Sequence, residues 1–227
     1  MGKLFDLDSP VMRFLNRLAD LLILNFLMIA CCIPVITIGA AHTAMHYVLL
    51  KMVRGEEGYL IRGFFKSFKT NFKQATVLWL IMLLVVLVYI GDALIFHYSL
   101  LQFPKALVIA VVVIAILLLM TAVYVFPLQA RFENSIKNTL KNAMILAFAN
   151  LPKTILMLVF YALPLVIGYF WAYSLIFEIM FGITVPAYGA AWLYSGIFKK
   201  FEPEEEEVSD LDFSINVDQE NGEIDGQ

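Results

Sequence analysis

Four polar side chains lie inside or beside apolar stretches, where a membrane helix could use them for chemistry: Asn25, His42, His46 and Asp92. An ionisable or amide group within a membrane is costly to bury, so each is a candidate for ligand binding or proton transfer. His42 and His46 are four residues apart, which puts both rings on one helix face and can suit a metal ion. Residues 43–45 are Thr, Ala and Met, so the zinc-protease pattern HExxH is missing. We therefore favour packing and hydrogen bonding for the two histidines.

The other two candidates also have simpler interpretations. Asn25 is expected to donate a hydrogen bond between helices, as amides commonly do in membranes. Asp92 follows Gly91 near the outer end of its apolar stretch, where hydration costs little. The sequence has no GxSxG elbow and no Gly-rich phosphate loop, and no paired carboxylates in a soluble pocket. We therefore expect no catalytic residue, no cofactor and no metal, and predict that the protein is not an enzyme.

A second kind of candidate is the basic run Arg62, Lys66, Lys69 and Lys73, within the segment Tyr59 to Lys73. Its aromatic residues recur at helical spacing on the other face, which predicts an amphipathic helix lying in the membrane interface. The four cations would then lie near anionic lipid headgroups. Two alternatives are that the charges only hold this loop inside the cell, or that they dock a soluble partner.

The elements that must position these residues are membrane helices. About 20 apolar residues cross the roughly 30 Å hydrocarbon core, and 61% of this 227-residue chain is hydrophobic. Because lipid offers no hydrogen-bonding partners, such segments must be helical. The sequence therefore predicts an all-α polytopic bundle over residues 1–200, inserted without a cleaved signal peptide. The apolar stretches are Phe14 to Ala41, Ala75 to Phe96, Ala106 to Leu128, Thr154 to Phe177 and Ile179 to Phe198.

The number of crossings depends on residues 14–53. In one interpretation Pro34 breaks the first stretch, so that Phe14 to Cys31 crosses outward and Ile38 to Val53 crosses back. The six crossings leave one of the 16 basic residues, Lys105, outside. In the alternative, Leu18 to Ala41 is a single span, giving five crossings with four basic residues outside. Because cytoplasmic loops collect Lys and Arg, we favour six crossings with both termini cytoplasmic.

The C-terminal segment has a different composition. Residues 201–227 contain 11 of the 19 acidic residues and no Lys or Arg. A segment with so few apolar residues and so much like charge cannot bury a core. The sequence therefore predicts a disordered acidic tail.

Several short motifs carry a resemblance to a known family. They are Leu24-Asn25, Cys32-Ile33-Pro34-Val35, Thr37-Ile38-Gly39-Ala40 and Ala44, and the later stretches FFKSFKTNFKQAT and ARFENSIKNTLKNA. With them, residues 5–200 resemble the YesL-like family of uncharacterised bacterial multi-pass membrane proteins. The resemblance implies a protein of the bacterial plasma membrane. Genes of that family often neighbour those of sugar-uptake ABC transporters, which implies by association a role in carbohydrate acquisition.

Two functions are consistent with these observations. The favoured one is a non-enzymatic accessory factor of carbohydrate ABC transport. The alternative is a small permease with a polar path built from Asn25, His42, His46 and Asp92. The expected partners are the lipid bilayer with its anionic headgroups and, from the resemblance, sugar ABC transporter subunits. No nucleic acid is expected.

Overall fold

A computed structural model describes residues 10–56, 58–98 and 103–202. This part of the chain consists of α-helices and two short 3₁₀ turns, Val35–Thr37 and Ala172–Ser174, and has no strand. The predicted all-α bundle is therefore confirmed. In chain order the helices are α1 (Pro10–Cys32), α2 (Ile38–Arg54), α3 (Leu60–Tyr98), α4 (Lys105–Arg131), α5 (Ile136–Ala149), α6 (Leu151–Phe170), α7 (Leu175–Phe181) and α8 (Thr184–Phe198).

Within the described residues, four helices are long and apolar enough to cross a membrane, namely α1, α3, α4 and α6. Helices α7 and α8 meet at a bend of 47° and make a fifth span if they cross together. A sixth crossing would have to be α2. Its 17 residues rise about 26 Å, slightly less than the hydrocarbon thickness. Six crossings therefore stay a prediction.

Helices α1 and α2 form a hairpin around Pro34. The helix stops at Cys32, and the Thr37 hydroxyl donates to the Cys31 carbonyl at 2.5 Å across the turn. At the other end of the hairpin, Arg17 Nη1 donates to the Met52 carbonyl at 2.8 Å. The start of α1 and the end of α2 are therefore neighbours. A single span over Leu18 to Ala41, as in the five-crossing alternative, is not formed.

A tight turn ends α2 and leads into α3. Gly55 has φ +70°, the left-handed conformation that glycine adopts without steric cost. The Gly55 N–H bonds to the Met52 carbonyl, and the Glu56 N–H bonds to the Lys51 carbonyl at 3.1 Å. These two bonds satisfy carbonyls at the helix end in the Schellman arrangement. Arg17 adds a cation at the negative end of the helix dipole.

Helices α2 and α3 approach closely at Gly39. A Cβ placed on Gly39 would collide with the carbonyl oxygen of Ala75 and would lie 2.6 Å from the Trp79 Cβ. The neighbouring Ala40 and Ala41 are fully buried. Small residues thus let the two backbones pack at short range, as is usual between membrane helices.

The basic run is part of a longer helix. Residues 60–73 are helical, as predicted, but they continue without a break into the apolar part of α3, which has 39 residues in all. Phe64, one of the aromatic residues of the predicted amphipathic segment, is fully buried and packs inside the bundle. The position of this segment in the membrane interface stays a prediction.

The chain divides into two compact units, Met1–Gly196 and Ile197–Gln227. In the second, the N–H groups of Phe201 and Glu202 bond to the Phe198 carbonyl at 2.9 and 3.1 Å and close the last turn of α8. From residue 203 onward, the predicted disordered tail lies outside the described residues.

Replacing Gly39 by alanine is expected to destabilise the bundle. The new methyl group must push α2 and α3 apart, and overpacking of this kind costs about 1–3 kcal/mol. We expect the apparent Tm of the detergent-solubilised protein to fall.

Gly91→Ala is the matched control, because that glycine also lies in a helix and has no atom within 4 Å of the position that an added methyl group would take. It should leave the apparent Tm unchanged or raise it slightly, since alanine is the better helix former. Equal Tm values for both variants would contradict the close approach of α2 and α3.

Candidate functional site

Asn25 connects α1 to the junction of α7 and α8. The side chain is fully buried. Its Nδ2 donates to the Ile179 carbonyl at 2.7 Å, and its Oδ1 accepts the Thr184 N–H at 3.2 Å. The Thr184 hydroxyl donates to the Leu21 carbonyl at 3.0 Å. Both groups of the Asn25 amide are therefore engaged between helices.

The break between α7 and α8 explains why an amide is needed there. Helix α7 ends at Phe181 and α8 begins at Thr184. The first N–H groups of any helix lack partners within the helix, and lipid supplies none. Asn25 supplies an acceptor to one of them and a donor to a carbonyl of the preceding helix. Its arrangement is that of a structural clamp.

The histidine pair lies between α2 and neighbouring helices. His46 is 3% exposed, and its Nδ1 is hydrogen-bonded to the Tyr194 hydroxyl of α8 at 3.0 Å. The His42 ring stacks on Phe126 of α4, with 5.4 Å between the ring centroids. Among the described residues, no group of three or more His, Cys, Asp and Glu side chains could hold a metal ion. The contacts made by the pair are packing contacts and one hydrogen bond.

Asp92 is far from the histidine pair. It follows Ala75 by 17 residues of α3, which is about 26 Å of helical rise. Ala75 lies beside Gly39 at the start of α2, whereas Tyr47, next to His46, lies near Gly63. Helix α2 thus runs away from Asp92. The four predicted polar residues are therefore not brought together along one path.

Glu178 is an acidic residue that sequence reasoning missed. It is half-buried in α7, and its Oε1 accepts the Ser174 hydroxyl at 2.9 Å. A Cβ placed on Gly168 of α6 would lie 2.6 Å from that same oxygen, so the carboxylate in this conformation packs closely against the glycine. The signal was present in the sequence, because Glu178 alone separates two long apolar stretches.

A groove at one end of the bundle, here called the basic groove, is formed by α1, α2, α3 and the turn between α2 and α3. Its volume is about 780 Å³. Of the four basic residues predicted for the interface, Arg62 and Lys66 line this groove, whereas Lys69 and Lys73 are exposed elsewhere on α3. The cationic side chains that line it are Arg13, Arg17, Lys51, Arg62 and Lys66.

A smaller cavity of about 510 Å³ adjoins the basic groove and shares Tyr47 and Lys66 with it. Its wall is a network of amides and hydroxyls. Gln129 of α4 is 4% exposed, donates to Asn71 Oδ1 at 3.2 Å, and accepts the Thr139 hydroxyl at 3.4 Å. The network joins α3, α4 and α5.

Glu133 and Gln74 complete this end of the bundle. Glu133 also lines the smaller cavity, while the Gln74 amide donates to the Asn134 carbonyl. That bond attaches the loop between α4 and α5 to α3. The polar groups around this cavity are thus partly engaged with one another.

Comparison with known proteins relates part of the chain to a protein family. Residues 21–93 match the family model described as "Protein of unknown function, DUF624". The match covers less than half of the chain and includes α2 with parts of α1 and α3. It is consistent with the YesL-like resemblance of this region. No curated protein and no solved structure matches the chain.

Asn25→Leu is expected to destabilise the protein by about 1–3 kcal/mol, because it leaves buried backbone groups of residues 179 and 184 without a partner. The measurement is the apparent Tm in detergent. Asn16→Leu serves as the control, since Asn16 lies on the same helix but is exposed. A fall in Tm of the same size in both variants would mean that Asn25 has no clamping role.

Proposed function

We propose that the chain is a non-enzymatic accessory protein of a carbohydrate ABC transporter, anchored in the plasma membrane by its helix bundle. Its long apolar helices support a membrane protein. The link to sugar transport comes from the YesL-like resemblance alone. The matching family model has no assigned function.

The observation that supports an accessory role is that buried polar groups of the bundle are hydrogen-bonded between helices. Asn25 and His46 are both buried and both hydrogen-bonded to residues of other helices. Asp92 lies about 26 Å further along α3 than Ala75, the residue that packs beside Gly39 at the start of α2. A permease needs polar groups that face its solute and are free to exchange partners. Asn25 and His46 instead stabilise helix contacts, which favours a scaffold.

The proposed topology has six crossings, with α2 as the short second span. Arg17 is bonded to the carbonyl of Met52, and Arg62 and Lys66 line the same groove as Arg17. With Lys51 of α2, which lines the same groove, basic residues of three helices share one end of the bundle. Because Lys and Arg are retained in the cytoplasm, that end and both termini are proposed to be cytoplasmic.

Cysteine labelling tests this topology. In a chain with Cys31 and Cys32 replaced by alanine, a cysteine at position 13 should react with a membrane-impermeant maleimide only after the cells are opened. A cysteine at position 105 should react in intact cells, because Lys105 begins α4 at the opposite end of α3 from the basic groove. Reaction of position 13 in intact cells would contradict the proposed orientation.

Co-purification tests the accessory role. The protein is tagged at its native chromosomal locus, so that it is expressed at its normal level. After mild detergent extraction it should retain the permease subunits of a sugar ABC transporter. Deleting the gene should lower uptake of the corresponding sugar, and restoring the gene should return it. An unrelated tagged multi-pass protein of similar abundance is the control. Retention of no transporter subunit, with unchanged sugar uptake in the deletion strain, would contradict the proposal.

The second candidate is a small permease, and the interrupted span of α7 and α8 favours it. Discontinuous helices with half-helix ends inside the membrane are frequent at the binding sites of transporters. Glu178 lies in the shorter half. Sugar uptake into proteoliposomes that contain this chain alone would support this candidate, especially if Glu178→Gln abolished uptake while leaving the apparent Tm intact.

A further inference from the structure

Among the described residues, the basic groove is lined by more cationic than acidic side chains. Five cationic side chains line it, against the acidic residues Asp20 and Glu56. Of these cations, Lys51 forms an ion pair with Glu56, with its Nζ 3.8 Å from Glu56 Oε2. Arg13, Arg62 and Lys66 are exposed and have no ion-pair partner among the described residues. The groove is therefore electrostatically suited to an anion.

The cations come from separate helices that the fold holds in fixed positions. Arg17 is anchored by its bond to the Met52 carbonyl, which uses one of the five guanidinium N–H groups. Lys51 lies over the Tyr47 ring, with Nζ 5.3 Å from the ring centroid. Arg62 follows the tight turn at Gly55. The repulsion between these charges is thus imposed by the fold, and an anion in the groove would relieve it.

We infer that the basic groove binds the phosphate group of a small anionic phosphate ester. Three of the five cations are arginines, whose planar guanidinium groups match the oxygens of a phosphate in bidentate geometry. Tyr47 and Tyr59 also line the groove, and a tyrosine hydroxyl is a hydrogen-bond donor.

The size of the groove indicates that the ligand carries more than a bare phosphate. Its volume of about 780 Å³ lies within the range of about 300–1,000 Å³ that is typical of small-molecule sites. Val48, Met52 and Leu60 give it an apolar part of the wall, which suits the organic portion of an ester. Two sources supply this chemistry. One is a phospholipid headgroup at the level where α1 begins its span, and the other is a soluble phosphate ester.

Charge-matched variants of the full-length protein test the site. One replaces Arg62 and Lys66, which line the groove, by glutamine. The control replaces Lys69 and Lys73, which are exposed on the same helix but outside the groove, by the same residue. Both remove two positive charges from α3 at exposed positions, so both should fold, and equal apparent Tm values check this.

The two sources are measured separately. In neutral detergent, glycerol 3-phosphate is titrated into the protein by calorimetry. In nanodiscs of phosphatidylcholine with a minor fraction of phosphatidylglycerol, native mass spectrometry counts the phosphatidylglycerol retained by each variant. We expect the wild type to bind at least one of the two probes. The Arg62/Lys66 variant should bind about tenfold more weakly or worse, and the control within about twofold of the wild type.

Salt dependence gives a second readout. Binding should weaken between about 0.1 M and 1 M salt, over which the Debye length falls from about 10 Å to 3 Å. Binding of neither probe by the wild type would overturn the proposal. Equal weakening in the two double variants would also overturn it, because general surface charge rather than the groove would then explain binding. Loss confined to one probe identifies the source and supports the site.

Discussion

A break in a helix inside a membrane leaves backbone N–H and C=O groups without partners. The hydrogen bonds that satisfy these groups between α7 and α8 determine how several helices of the bundle pack. Lipid cannot satisfy free backbone groups, each of which costs several kcal/mol. Asn25 meets the need at the junction of α7 and α8. The junction must therefore lie against α1, and the direction in which α8 leaves it brings Tyr194 to His46 and Ser195 to Arg54. One amide thus links the first helix to the last and, through α8, to α2.

The second organising feature is the close approach of α2 and α3. Gly39 permits it at one end of the pair, and the left-handed Gly55 closes the turn at the other. Because α1 is attached to α2 by Arg17, the three helices have little freedom to separate. Their basic residues are consequently held together in spite of mutual repulsion. Packing inside the bundle, rather than charge attraction, creates the basic groove.

The sequence predicts those parts of the fold that depend on local chemistry. Pro34 disfavours a continuous helix because it removes a backbone donor and clashes with the preceding turn, and the break between α1 and α2 lies there. The apolar stretches Ala75 to Phe96 and Ala106 to Leu128 lie within α3 and α4, because lipid permits little but helix. The stretches Thr154 to Phe177 and Ile179 to Phe198 are instead divided among α6, α7 and α8, with breaks after Phe170 and Phe181 that the sequence did not predict. Nor was the continuity of α3 through Lys73 predicted, since nothing in a charged amphipathic segment tells whether the helix ends before the apolar part begins. The partners of Asn25 could not be predicted either. They depend on a break 154 residues away in the sequence and on the packing that brings it to α1.

In the candidate site, too, the residue types follow from the sequence, whereas their neighbours depend on the packing of the helices. The sequence identifies Arg62 and Lys66 as basic residues at helical spacing, but it cannot separate them from Lys69 and Lys73. That distinction comes from the direction in which α1 and α2 cover α3. Arg17 illustrates the limit in another way. Asp20 is its nearest acid in sequence, yet the Met52 carbonyl at the end of α2 is the group to which it donates.

The length of α3 has a mechanical consequence. Its 39 residues extend about 58 Å, almost twice the thickness of the hydrocarbon core. The same rod that carries Arg62 and Lys66 at one end therefore carries Asp92 close to the other. An α-helix with side chains has a radius of about 5–6 Å, so a twist of roughly 20° displaces a side-chain tip by about 2 Å. A torque applied near Tyr98 would thus reach the other end of α3 as a change in the width of the groove.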